Sequence, residues 1–78
     1  MNILHMLTEF QHLCFAESRA IDTEKEEAQR AQELFVNSAD SPAFKAAIRI
    51  RTAIQDARKS CAKEIVDVFK SLQERSAL

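Results

Sequence analysis

No glycine, tryptophan or tyrosine occurs in this 78-residue chain, and proline occurs once. Without glycine there is no phosphate-cradling loop and no dinucleotide fingerprint, since both need glycines at fixed spacings. The two cysteines, Cys14 and Cys61, lie too far apart for a CxxC motif and are too few to build a disulfide framework. Both are expected as reduced core residues. No run of eighteen apolar residues exists, so no membrane span is expected. Met1 to Phe10 lacks a basic n-region and Glu9 interrupts the apolar stretch early, so a secretory leader is not expected and the expected location is the cytoplasm.

What is present is a helix-forming composition. Apolar residues make up 46% and charged residues 29%, and Ala, Glu, Gln, Lys and Arg are frequent. The length allows one helical domain, 1–78, with a small core, because a chain this short buries only roughly 60% of its unfolded surface. Net charge is −1, which argues against nucleic-acid binding by bulk attraction. The charge is nevertheless uneven. Residues 1–41 carry three basic and eight acidic groups, and residues 42–63 carry six basic and one acidic. An acidic first helix and a basic second helix can pair within one hairpin, and the pairing expected is Glu17 with Lys63, Glu24 with Lys59 and Glu27 with Arg51.

Ser41-Pro42 is the clearest local signal. Asp40 or Ser41 offers an oxygen to free helix amides, and proline suits the first helical position. Asn37-Ser38-Ala39-Asp40 before it is the only turn-like cluster. The fold expected is all-α, a long antiparallel hairpin with helices over about 2–38 and 42–74. With the turn near residue 39, facing residues total about 79. In the second helix Ala43, Ala47, Ile50, Ile54, Ala57, Cys61, Ile65, Val68 and Leu72 recur in steps of three and four. In the first, Ile3, Leu7, Phe10, Cys14, Ile21, Ala28, Ala31 and Phe35 share one register with Glu17 and Glu24. Thr23 with Glu26 resembles a capping box, so a three-helix form broken near 20–22 is the alternative.

The apolar residues exceed what one hairpin seam can bury. Leu4 and Phe15 flank the first stripe, while Phe44, Val66 and Phe69 flank the second beside Arg51 and Arg58. Two hairpins dimerising into a four-helix bundle would cover this surplus. So would a different, larger protein. Arginine among aromatics is common hot-spot chemistry, because the guanidinium stacks while its donors pair. Alternatively, Arg51 and Arg58 snorkel over the edge and pair with Glu27 and Glu24.

Catalytic chemistry finds little support. His5, Glu9 and His12 share a helical face, but it points away from the apolar stripe, so no metal, cofactor or enzymatic activity is expected. No histidine stands where it could activate a thiol. The function expected is non-catalytic protein binding, by an adaptor, chaperone or inhibitor, through Leu4, Phe15, Phe44, Val66 and Phe69 with Arg51 and Arg58 as the rim. The alternatives are a purely structural homo-oligomer, or a dimer gripping RNA or DNA with the strip Lys45, Arg49, Lys59 and Lys63.

Overall fold

A computed structural model describes residues 2–77. It contains two helices, α1 over Ile3–Glu33 and α2 over Pro42–Ala77, folded back on each other as an antiparallel hairpin. The hairpin measures 64 × 17 × 14 Å. Among the described residues, no helix is long and apolar enough to cross a membrane.

Helix α1 starts where the Asn2 side chain accepts a hydrogen bond from the Leu4 amide at 2.9 Å. It then runs unbroken through 20–22, so the three-helix alternative does not form. The Thr23 hydroxyl donates back to the Arg19 carbonyl at 3.1 Å instead of capping a new helix.

The end of α1 differs from expectation: it stops at Glu33, not near 38. Phe35 turns into the left-handed region at φ 57°. The Val36 amide then donates to the Ala31 carbonyl at 2.9 Å and the Phe35 amide to that of Gln32 at 3.1 Å. That pair of bonds is a Schellman stop, which satisfies the last helical carbonyls and is usually built on glycine. In a chain without glycine, phenylalanine occupies the site. Asn37 and Ser41 then take the amides of Ala39 and Phe44 at 3.0 and 3.2 Å, which closes a 3-10 turn at Ser38–Asp40 and starts α2 at Pro42.

This longer connection moves the register by at least one helical turn. The cross-helix ion pairs of Glu17 with Arg58 and Glu24 with Arg51 total 75, and the core contact of the Cys61 thiol with the Met6 carbonyl at 3.7 Å totals 67, where a turn near 39 implies about 79. The helices are also rotated from expectation. Met6, only 2% exposed, together with Ala20 and Ala31 supplies the buried line of α1, whereas Leu7 and Cys14 face outward. On α2, Ala47, Cys61 and Ile65 are buried, while Ile50 and Ala57 are exposed and Arg51 and Arg58 are half-buried. Cys61 thus lies in the core as expected and Cys14 does not. The apolar stripe alone was a poor guide because paired charges compete for seam positions, and long arginine stems pack while their heads find carboxylates.

The core itself is slight. Met6, Cys61 and Ile65 form one buried cluster near the open end, with Phe10, Leu13 and Val68 packed against it. Toward the turn the buried residues are the alanines Ala20, Ala31 and Ala47.

Phe35 is 98% exposed, so its ring stabilises nothing in the hairpin while its backbone holds an unfavourable conformation. Phe35→Gly should therefore stabilise the hairpin by about 1 kcal/mol, read as a higher midpoint of chemical denaturation at unchanged m. Phe35→Val, β-branched at a positive φ, should lower it.

Candidate interaction surface

With a seven-residue frame laid along each helix, the seam consists of two alternating lines on each. On α1 they are Ile3, Phe10, Glu17, Glu24 and Ala31, alternating with Met6, Leu13, Ala20 and Glu27. On α2 they are Phe44, Arg51, Arg58 and Ile65, alternating with Ala47, Ile54, Cys61 and Val68. All are buried or half-buried.

The middle of this seam is polar. Arg51 Nε donates to Glu24 Oε2 at 2.7 Å, and its Nη1 donates to Gln55 Oε1 at 2.7 Å. One layer on, Arg58 Nε lies 2.5 Å from Glu17 Oε1, off the N–H axis, so that contact is Coulombic. The hydrogen bond proper runs from Arg58 Nη2 to Glu17 Oε2 at 3.4 Å. Gln55, bonded to Arg51, also stands close enough to Glu17 to favour its charged form, so the two pairs lie side by side. Arg58 and, less strongly, Gln55 hold the Glu17 carboxyl below the usual glutamate range against the opposing effect of burial.

The guanidiniums expected on a binding rim are thus committed within the chain, to Glu24 and Glu17 rather than to Glu27 and Glu24. Their partners differ from expectation because the register has moved. Much of the charge asymmetry also stays outside the hairpin's pairing. Among the described residues, Lys45, Arg49, Lys59 and Lys63 make no ion pair, and all four are exposed along one strip of α2.

In an antiparallel pair, the positions just outside the seam meet their own counterparts, so each side of the hairpin carries one row from each helix. One side is marked by a shallow groove of about 540 Å³ that brings Glu9, His12 and Leu13 together with Ala57, Ser60, Cys61 and Glu64. His5 lies 3.6 Å from Glu9 on this side, both exposed. No group of three or more His, Cys, Asp or Glu able to hold a metal is found among the described residues. Burial pushes the Cys61 thiol up, helped by the nearby Glu9 and Glu64 carboxylates, so it stays protonated and a poor nucleophile.

The opposite side carries Leu7, Cys14, Ile21 and Ala28 from α1 with Ile48, Gln55, Ala62 and Phe69 from α2. No charge stands in either row. The one polar member, Gln55, already has its amide oxygen bonded to Arg51. Leu4 and Val66 widen the face near the open end at 69% and 49% exposure, and Phe69 is 50% exposed.

Of the residues expected at a partner surface, Leu4, Val66 and Phe69 come together here. Phe15, at 63% exposure, lies on the outer shoulder of α1, nearly opposite the seam. Phe44 is half-buried in the seam beside the turn. Sequence reasoning assigned Leu7, Cys14, Ile21 and Ala28 to the hairpin core. Their seven-residue spacing was visible, but spacing does not say which neighbour a row faces.

Glu17→Leu or Arg58→Leu alone should lower the thermal midpoint, because each leaves its partner half-buried and unpaired. The double replacement should restore it to at least the parent value. The depressed Glu17 carboxyl makes a stabilising contribution that is complete above about 4.5, its ordinary value, and is lost as pH falls below that. The stability gap between the parent and Glu17→Gln, measured by denaturation across pH, should accordingly shrink below that point. A gap independent of pH would show that the charge on Glu17 contributes nothing.

Comparison of the chain with protein-family models, curated proteins and solved structures gave no match.

Proposed function

We propose that this chain is a non-catalytic protein-binding module that works through its uncharged hairpin face. The observation carrying this reading is the face itself: two full helical rows without a charge, on a chain whose residues are 29% charged. Soluble surfaces rarely leave such a continuous apolar strip in water, and one of this extent usually marks an interaction site. Leu4, Leu7, Val66 and Phe69 are its anchors at the open end. Arg51 and Arg58 serve it indirectly, since their pairing with Glu24 and Glu17 holds the helices in the rotation that presents both rows together.

A charge placed on the face should separate binding from folding. Leu7→Glu and Phe69→Glu are expected to keep the helical circular dichroism while losing protein association of any kind, read as native mass and as recovery in affinity capture. Ser60→Glu, on the opposite side, should change neither. Association that survives the face variants would refute the reading.

One observation favours a second reading, an RNA- or DNA-binding surface: Lys45, Arg49, Lys59 and Lys63 are exposed together and, among the described residues, unpaired. Phosphate contacts of this kind release counterions, so affinity for a duplex should fall steeply with salt. Fluorescence-anisotropy titrations at about 50 and 200 mM salt decide it, since four contacts predict a loss of roughly 100-fold or more. Absence of binding at the lower salt would eliminate this reading.

A further inference from the structure

We infer that the occupant of the uncharged face is a second copy of this chain, set by a two-fold axis running along the hairpin's length. In that arrangement α1 of each copy lies on α2 of the other, and both turns sit at the same end. The inference rests on the face being the binding surface and adds what covers it and in which orientation.

Area is the first argument. A compact folded chain of 8.9 kDa exposes about 4,800 Å², whereas this hairpin exposes 6117 Å². The radius of gyration tells the same story, 18.0 Å against about 11.5 Å for a compact domain of this length. The excess surface, on the order of 1,300 Å², exceeds the roughly 800 Å² that each partner buries in a standard stable interface. Among the described residues only six are buried, three of them alanine, so the hairpin has a core on one side only. A face 64 Å long and 17 Å wide matches an identical face along its whole length.

Charge chooses between the two ways of stacking such faces. Over its described span α1 carries seven acidic and three basic residues, and α2 carries eight basic and four acidic. The helices therefore hold −4 and +4. An axis along the hairpin lays the acidic helix on the basic one at both contacts. An axis across it lays acidic on acidic and basic on basic, which long-range repulsion disfavours even with the charges off the contact rows.

The rows also interlock. Cross-helix contacts total between 67 and 75, so Leu7 lies between Ala62 and Phe69, Cys14 between Gln55 and Ala62, and Ile21 between Ile48 and Gln55. The lengthwise axis sets each of these residues against the same pair in the second copy. The result is a four-helix bundle in which every neighbouring pair of helices is antiparallel.

The test uses the full chain. Sedimentation equilibrium at micromolar concentration should give twice the 8.9 kDa chain mass. Orientation is read by disulfide trapping with the natural, exposed Cys14. Gln55→Cys should yield a covalent dimer as the major oxidised species, with a peptide in its digest that joins Cys14 to the thiol introduced at position 55. Ile21→Cys tests the crosswise stacking, in which Cys14 meets that position of the second copy, and should yield little. Ile21→Cys with Ile48→Cys, in a Cys14→Ser background, repeats the measurement nearer the turn should Gln55→Cys fail to fold. Trapping through Ile21→Cys instead would overturn the orientation. A monomeric mass would overturn the second copy altogether. If Phe69→Glu still abolished capture of another protein in that case, the face would remain a binding surface with a different occupant.

Discussion

Two arginine–glutamate pairs set inside a narrow helical seam govern how this hairpin is assembled. Arg51 with Glu24 and Arg58 with Glu17 occupy positions that the remainder of the seam gives to Phe, Met, Ile and Ala. Half-buried ion pairs contribute little net stability, because desolvation offsets most of the attraction. Their effect is on choice among arrangements. Rotating α1 by one residue, or sliding it by one turn, would leave two guanidiniums and two carboxylates in the seam without partners. Alanine-rich seams tolerate many registers, so here the polar network does what side-chain volume cannot.

The turn and the network reinforce each other. The stop at Phe35 and the 3-10 turn at Ser38–Asp40 bring the helices together in the register at which Glu17 meets Arg58 and Glu24 meets Arg51. A chain without glycine reaches this geometry by holding phenylalanine in a left-handed conformation. The cost is tolerated because the alternative, a helix carried on to Asn37, would move every ion pair out of register.

The rotation that buries these pairs turns another set of residues outward. Leu7, Cys14, Ile21 and Ala28 leave the seam for the side of the hairpin, where Ile48, Ala62 and Phe69 stand beside them. The internal network and the uncharged face are therefore two consequences of one rotation. Charge is drawn inward where it can be paired, and apolar surface is released outward where another helical layer can cover it. The same separation leaves α1 acidic and α2 basic, a polarity with consequences for any partner that lies along both.

Composition and spacing alone determined that the chain is helical, that the break falls before Pro42, and that the result is an antiparallel hairpin. These follow from local physics: helix propensity, the proline at a first helical position, Ser41 as its cap, and apolar residues in steps of three and four. Cys61, Ile65 and Val68 were legible as core because they continue the three-and-four spacing of the second helix with no charged residue between them on that stripe. The end of α1 was not legible, since nothing in Leu34-Phe35-Val36 announces a left-handed stop where glycine is the usual signal. Nor was the rotation. Leu7 and Met6 are both apolar neighbours on α1, and only the pairing of Glu17 and Glu24 with residues 41 and 27 positions away decides which of them turns inward. Such long-range partnership exists only once the chain has folded back. It decided the register, the fate of Arg51 and Arg58, and which apolar row is left for a partner.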